Sequence, residues 1–148
     1  MIIGISQFEK LFRLTANLDV DKADLKRLSE FVNAKLHDLL LMGEASAKAN
    51  QRDIIQVFDL PITKGLQESM HAFKALDVEL ELSPILETLA QLPPLDLAYS
   101  EEVKERLPRI VGAITISLAK TFKVIDPDLK NPQSVHWERA IEIFNMLL

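Results

Sequence analysis

Apolar residues recur every three or four positions along most of this chain, and this spacing predicts amphipathic helices. The clearest stripe follows Asp21 and consists of Leu25, Leu28, Phe31, Val32, Leu36, Leu39 and Leu40. A second long stripe follows Ser100 and includes Val103, Leu107, Ile110, Ile114, Leu118 and Phe122. Aspartate and serine side chains cap helix N-termini well, so we expect one long helix to begin after each of these two residues.

A shorter helix is expected on either side of each long one. In the first half, the leading helix begins at Ser6, which is a plausible N-cap. In the second half, Ser83-Pro84 opens the leading helix, and the last helix covers residues 138–148. Repeated units that cannot each bury their apolar face alone pack against one another. We therefore predict an all-α chain that forms one compact domain, residues 1–148, with pseudo-repeats at about residues 1–75 and 76–148.

The stretch after the first long helix has a different pattern. Residues 52–57 contain the β-branched residues Ile54, Ile55 and Val57 and favour a short extended segment. Asp59 and Pro61 predict that a third helix begins there and runs to about Phe73. Gly43 lies inside the first long helix, where glycine costs about 1 kcal/mol relative to alanine, and its presence suggests that another helix approaches closely.

Composition limits the possible classes of protein. The hydrophobic fraction of 48% is ordinary for a globular chain and too high for disorder. There are no cysteines, which excludes disulfides, thiolate metal sites and cysteine nucleophiles. The formal net charge of −5 comes entirely from residues 76–148, because residues 1–75 carry ten basic and ten acidic side chains. An acidic surface works against phosphate binding.

No targeting or membrane segment is evident. The N-terminal residues 1–5 are apolar but have no positive leader, and the run is too short for a signal peptide. The longest nearly apolar run, residues 110–119, is about half of a membrane span. We expect a cytoplasmic protein that does not enter a membrane.

The sequence contains no recognisable catalytic or cofactor motif. The three histidines, His37, His71 and His136, fall in different elements, and none has a metal-ligand partner at helical spacing. No phosphate-binding glycine loop is present among only four glycines. We therefore expect no enzymatic activity, no metal and no cofactor.

The residues around the polar segment 50–53, which ends the first long helix, resemble those of a known fold. The segment of residues 47–60, Ala-Lys-Ala-Asn-Gln-Arg-Asp-Ile-Ile-Gln-Val-Phe-Asp-Leu, is similar to the end of the central helix, the second loop and the third-helix start of a histone fold. In that family an arginine in the loop pairs with an aspartate seven residues later, and Arg52 and Asp59 match in type and spacing. The resemblance therefore implies a structural clamp. In the second half Lys130 stands in place of the arginine.

The whole chain resembles a small bacterial family of uncharacterised single-chain double histone folds. Further matching segments are Leu95-Asp96-Leu97, Leu129 to Gln133, and the Glu138-Arg139-Ala140 start of the last helix. The resemblance implies two histone-fold-like halves fused head to tail as an intrachain pseudodimer. It implies no particular activity.

Histone folds commonly bind DNA through paired loops, and this chain has few residues suited to that role. One loop pair would contain Asp19, Asp21, Asp126 and Asp128 against Lys130, and the other Arg52 with Asp53 and Asp96. The candidate DNA contacts are Lys10, Arg13, Arg52 and Lys130. Because non-specific DNA binding depends on phosphate contacts, we expect histone-style wrapping to be weak. Binding as a histone-like nucleoid-associated protein remains the alternative function.

The preferred function is a non-enzymatic interaction or architectural module that acts through protein contacts or self-association. Its candidate surface is the acidic second half with the apolar C-terminal residues Phe144, Met146, Leu147 and Leu148. These four residues could form a docking face, or they could close the core, which is the common role of a last helix in a small helical domain.

Overall fold

The computed structural model describes residues 1–148 and contains six helices, two very short strands and one 3-10 turn. The helices are α1 (Ile5–Ala16), α2 (Lys22–Ala49), α3 (Lys64–Ala75), α4 (Leu82–Leu89), α5 (Glu101–Ile125) and α6 (Ser134–Leu147). The strands are β1 (Ile54–Ile55) and β2 (Ala98–Tyr99), and the 3-10 turn is Val57–Asp59. The predicted all-α class is confirmed. None of the helices combines the length and the apolar character that crossing a membrane requires.

Side-chain caps begin both long helices, as the sequence predicts. At α2, the Asp21 carboxylate accepts a hydrogen bond from the Asp24 N–H at 3.0 Å, and the Asp24 carboxylate accepts one from the Asp21 N–H at 3.0 Å. At α5, Ser100 Oγ accepts from the Val103 N–H at 3.2 Å. These bonds satisfy N–H groups that have no partner within the helix.

The shorter helices begin at residues other than those predicted. Gly4, not Ser6, stands at the N-cap of α1. Glu81 stands at the N-cap of α4, so Ser83 and its proline lie inside the first turn. The last helix begins at Ser134, four residues before the predicted start. Local residue preferences predict a helix start only to within a few residues, because packing against the rest of the chain also decides where the first turn forms.

Asp59 does not cap α3, contrary to the prediction. It ends the 3-10 turn, and its carboxylate is occupied by Arg52. Thr63 caps α3 instead, and its hydroxyl accepts from the Leu66 N–H at 3.1 Å. A carboxylate bound to a guanidinium is no longer available to a helix start four residues later.

Helix α5 lies at the centre and contacts each of the other five helices. The main core contains 30 buried residues and includes side chains from all six helices. An edge-to-face series of rings runs through it, with centroids 4.6 Å apart for Phe8–Phe12, 6.0 Å for Phe12–Phe122 and 5.0 Å for Phe122–Trp137. Such pairs add stability beyond their buried area. The series joins α1 from the first half of the chain to α5 and α6 from the second.

Two glycines allow close approach of neighbouring elements. A Cβ atom at Gly43 would lie 2.9 Å from Leu60 Cδ2 and 3.1 Å from Ile55 Cγ2, so the close approach is present but comes from the loop after α2 and not from another helix. At Gly112 a Cβ atom would overlap the ring of Phe73, which packs α3 against α5. Alanine is favoured in helix interiors, so these glycines are retained at the expense of helix propensity.

The loops of the two halves pair with each other. Strands β1 and β2 are parallel, with Ile54 opposite Ala98 and Ile55 opposite Tyr99. The loop before α2 pairs with the loop after α5, where the Asp19 N–H donates to the Lys130 carbonyl at 2.7 Å. Of the predicted extended segment, residues 52–57, only Ile54–Ile55 forms a strand, and Val57 already belongs to the 3-10 turn. Each loop that follows a long helix therefore meets the loop that precedes the other long helix.

Replacing Gly112 by alanine is expected to lower the free energy of unfolding by about 1–3 kcal/mol, because Phe73 must move to admit the methyl group. Urea unfolding measures this change. Gly65→Ala is the control, since no heavy atom lies within 4 Å of a Cβ there, and its effect should stay below about 1 kcal/mol. Equal effects of the two substitutions would contradict the proposed packing role of Gly112.

Candidate functional site

Arg52 and Asp59 form a bidentate ion pair. Arg52 Nη1 donates to Asp59 Oδ2 at 2.6 Å, and Nη2 donates to Oδ1 at 2.5 Å. The Asp59 side chain is 1% exposed and the Arg52 side chain 31%. Asp59 also accepts from the Ser46 hydroxyl at 3.0 Å and from the Gln56 N–H at 2.8 Å. The carboxylate thus ties the loop after α2 to the end of α2 and to the 3-10 turn.

One face of the Arg52 guanidinium lies against an aromatic ring. Its central carbon lies 4.8 Å from the centroid of the Phe58 ring, a cation–π distance. Phe58 is 76% exposed, so the ring covers the ion pair from the solvent side and buries little of itself. Arg52 is consequently engaged inside the chain on two sides, which leaves it poorly placed as a phosphate contact.

The ion pair dominates the titration of Asp59. Hydrogen bonds from Arg52 hold the pKa of the Asp59 carboxyl far below its usual range, although burial of the group acts in the opposite direction. The same hydrogen bonds raise the pKa of Arg52. Both shifts favour the charged forms of the two groups in the folded state.

The second half holds its corresponding loop differently. The Lys130 side chain is exposed and lies in no ion pair. Lys123 Nζ instead donates to the Leu129 carbonyl at 2.5 Å. His136 Nδ1 accepts from the Gln133 N–H at 2.9 Å at the start of α6. Backbone contacts therefore fasten this loop in place of an arginine–aspartate pair.

Two buried carboxylates connect the halves of the chain, and sequence reasoning missed both connections. Asp24 Oδ1 accepts from the Trp137 indole N–H at 3.0 Å, and burial raises the pKa of Asp24. Glu44 Oε2 accepts from the Leu97 N–H at 3.0 Å. Their partners are 113 and 53 residues away in sequence, so no local pattern could have revealed them.

The four candidate DNA contacts do not form one surface. Lys10 and Arg13 are exposed on α1, whereas Arg52 and Lys130 belong to the two different loop pairs. Three further cations, Lys22, Lys26 and Arg27, are exposed on the first turns of α2. Arg27 Nη2 donates to the Ser134 hydroxyl at 2.9 Å, which places it beside the start of α6. Sequence reasoning overlooked these three residues, because it considered only the loops and the first helix as sources of DNA contacts.

The four C-terminal apolar residues divide into two groups. Phe144 is buried in the core, with its ring centroid 5.0 Å from that of Phe31. Met146, Leu147 and Leu148 are exposed by 72%, 74% and 40%, respectively. Phe144 thus closes the core, and the other three side chains face solvent.

A groove lies beside these exposed residues, between the start of α3, the second half of α5 and the end of α6. Its volume is about 330 Å³, and we call it the α6 groove. Its lining is mostly apolar, with three hydroxyls, and consists of Thr63, Gly65, Leu66, Ser117, Thr121, Ile143, Phe144, Leu147 and Leu148. The Ser117 hydroxyl forms a 2.8 Å hydrogen bond with that of Ser69, which links the α3 and α5 walls. The groove thus adjoins an exposed apolar helix end.

Arg52→Ala is expected to lower the melting temperature by about 3–10 °C at pH 7, because it leaves the buried Asp59 carboxylate without its main partner. Thermal unfolding followed by circular dichroism measures the shift. The control is Arg106→Ala, which breaks an exposed pair with Glu102 at 3.3 Å and should cost less than about 2 °C. An unchanged melting temperature for Arg52→Ala would show that the ion pair does not stabilise the loop.

The contribution of Asp59 to stability should depend on pH. Its folded-state pKa lies below the ordinary value of 3.8, so the stabilisation is present above that value and is lost as the pH falls below it. We expect the melting-temperature difference between the wild type and Asp59→Asn to be large at pH 7 and to shrink between about pH 5 and pH 2. Asp96→Asn, whose carboxylate is 75% exposed, is the control and should show a smaller change. A constant difference for Asp59→Asn would contradict the assignment.

Two solved structures have the same architecture as this chain. A crystal structure of a protein from Thermus thermophilus superposes with a TM-score of 0.97 at 52% sequence identity, covering 100% of both chains. A crystal structure of a protein from Aquifex aeolicus superposes with a TM-score of 0.81 at 25% identity, covering 99% of this chain and 97% of that one.

Two proteins of Aquifex aeolicus are also similar to this chain in sequence. An uncharacterised protein of Aquifex aeolicus strain VF5 is 33% identical over 145 residues, which is 88% of this chain and 83% of the relative. A second uncharacterised protein from that strain is 28% identical over 120 residues, which is 81% of this chain and 70% of the relative. The sequence also matches a family described as a domain of unknown function, DUF1931, over residues 8–145, and the chain belongs to that family.

Proposed function

We propose that this protein is a non-enzymatic interaction module built from two histone-fold-like halves in one chain. Three features support the architecture: the short–long–short helix order in each half, the reciprocal pairing of the loops, and the bidentate Arg52–Asp59 pair at the position that the histone resemblance implies. The second half differs from the first, because Lys130 forms no ion pair of the Arg52–Asp59 kind. The two proposed halves are therefore similar in helix order but not identical in their loop contacts.

The observation that carries the interaction role is the uncovered apolar end of α6 beside the α6 groove. Met146 and Leu147 are among the most exposed large apolar side chains of the chain, and they adjoin a depression whose floor is itself apolar. Contiguous apolar surface of this kind on a folded protein is typical of docking sites. Burying it against a partner would gain free energy roughly in proportion to the area removed from water.

The loop pairs are less suited to DNA wrapping than to holding the chain together. Arg52 is bound to Asp59, and Lys48 Nζ is 2.6 Å from the Asp96 carboxylate, so two cations near the β1–β2 pair already have internal partners. Phosphate binding there would have to break these contacts. This arrangement supports protein contacts over wrapping.

DNA binding is the second candidate function, and one observation favours it. Lys22, Lys26 and Arg27 on α2 are exposed, form no ion pair, and lie near the loop pair that contains Lys130. Four cations along one edge could contact a phosphate backbone without base recognition. Asp19 and Asp128 are exposed in the same loops and oppose such binding.

Site-specific photo-crosslinking in cells tests the preferred role. A photoreactive amino acid at Leu147 is expected to give discrete protein adducts, because that side chain lies in the proposed docking surface. The control places the same group at Glu105, an exposed position on α5 about three turns before the groove, and should give no discrete adduct. Mass spectrometry of the adducts identifies what is bound.

Two results would contradict the preferred role. One is the absence of any protein adduct specific to position 147. The other is micromolar binding to random duplex DNA at 200 mM salt with a steep salt dependence, measured by fluorescence anisotropy from 20 to 200 mM salt. Loss of that binding in a variant with Lys22, Lys26 and Arg27 replaced by glutamine would assign the DNA contact to the start of α2.

A further inference from the structure

Lys35 on α2 is the single buried cation of the chain. Its side chain is 8% exposed, and no other lysine or arginine is buried. The ammonium group has three N–H donors, but it makes one hydrogen bond, which it donates to Asn145 Oδ1 of α6 at 2.6 Å. The nearest carboxylate, that of Asp38, is 52% exposed and lies 3.8 Å away, which is too far for a hydrogen bond. The buried ammonium therefore has donors that no group of the chain accepts.

The other buried charges of the chain are paired more fully than Lys35. Asp24, Glu44 and Asp59 each contact at least two groups that donate a hydrogen bond or carry a positive charge. Burying an ammonium group is unfavourable unless its donors and its charge are both satisfied. A methionine at position 35 would cover the same neighbours without that cost, so packing alone does not account for a lysine here.

A groove with a volume of about 320 Å³ opens beside this charge, between α2 and α6, and we call it the Lys35 groove. Its α2 lining follows one helix face and consists of Arg27, Glu30, Phe31, Ala34, Lys35 and Asp38. Its α6 lining consists of Ile141 and Asn145, which are one turn apart. The volume lies at the lower end of the range of about 300–1,000 Å³ found for small-molecule pockets. The groove therefore suits a small molecule.

The charges around the Lys35 groove favour a ligand with a single negative charge. Arg27 is at the other end of the groove from Lys35, and the exposed carboxylates of Glu30 and Asp38 lie along its rim. Attraction to Lys35 is the strongest of these interactions, because a buried charge is screened less than an exposed one. The two carboxylates repel any second negative charge on the ligand. A monoanion is thus favoured over a dianion.

The donors at the Lys35 end match a carboxylate. The ammonium group has unused N–H donors, and the Asn145 amide group beside it carries two more N–H donors that make no hydrogen bond within the chain. The two oxygens of a carboxylate can accept from these neighbouring groups at the same time. A neutral ligand of the same shape would leave the Lys35 charge without a counter-charge.

The rest of the groove suits an apolar ligand body. The ring of Phe31 is 5% exposed and packs edge-on to that of Phe144 on α6, with centroids 5.0 Å apart. Ile141 is partly buried beside it. Ala34 is exposed, and its methyl group is too small to cover these side chains. An apolar group placed over them would be removed from water on one side.

We propose that the Lys35 groove binds a small organic monocarboxylate. The carboxylate accepts hydrogen bonds from the Lys35 ammonium and the Asn145 amide, and the apolar body lies over Ala34 and Ile141. This ligand site is independent of the proposed interaction function, because no residue that lines it also lines the α6 groove.

Sodium benzoate is the probe, benzamide is its neutral counterpart of similar shape, and terephthalate is a related dianion. Two-dimensional ¹H–¹⁵N NMR of the full chain at constant ionic strength follows each titration. We expect benzoate to shift the amides of residues 27–38 and 141–145 with a dissociation constant below about 10 mM. Benzamide and terephthalate should each bind at least about fivefold more weakly.

Three variants locate the site. Lys35→Met removes the charge and should weaken benzoate binding at least about tenfold without lowering the melting temperature, because the apolar stem is kept. Ala34→Phe fills the groove, leaves Lys35 in place, and should weaken binding at least about tenfold as well. Ala45→Phe makes the same change at another exposed alanine of α2, outside the groove lining, and should leave binding unchanged.

The proposal is overturned if benzoate up to about 50 mM, five times the expected limit, does not shift the amides that line the groove. Equal binding of benzamide and benzoate would also overturn it, because the Lys35 charge would then contribute nothing. So would benzoate binding that persists in both Lys35→Met and Ala34→Phe, since the probe would then occupy another site. Because Ala34 is exposed, its variant tests the site even if Lys35→Met does not fold.

Discussion

Burial of α5 on all sides is the constraint on which the rest of the structure depends. Seven consecutive residues, 110–116, are buried, so this helix has no solvent face along two turns. Thr115 within that stretch satisfies its hydroxyl by donating to the Val111 carbonyl at 2.8 Å. Each of the other five helices contributes an apolar face to cover α5. Residues 1–75 and residues 76–148 both supply helices to this cover, so neither stretch could keep its present packing without the other.

The sequence was informative where the physical cause of a feature is local. The caps of Asp21 and Ser100, the apolar stripes of α2 and α5 and the close approach at Gly43 all follow from neighbouring residues. It was wrong about Asp59 as a helix cap, because that carboxylate is occupied by Arg52, the partner seven residues earlier that the resemblance also implied, and one group did not serve both roles. The contact of Asp24 with Trp137 had no local signal at all. The exposed end of α6 could be named as a candidate, but only packing shows which of its residues remain outside the core.

Polar and apolar groups have separate roles in the candidate site. The charged side chains around the β1–β2 pair mostly have internal partners: Arg52 binds Asp59, and Lys48 lies against Asp96. These contacts set the position of the loops and leave little charge for an external ligand. The apolar residues at the end of α6 have no such internal partners. The surface with most to gain from association is therefore apolar and lies away from the β1–β2 loops.

Trp137 is the single tryptophan of the chain, and its surroundings have a practical consequence. It is 2% exposed, lies edge-on to Phe122, and donates its indole N–H to a carboxylate at the start of α2. Separation of α6 from α2 would expose the indole to water and break that bond. Its intrinsic emission is thus a built-in optical reporter of whether the two halves of the molecule are joined, with no label required.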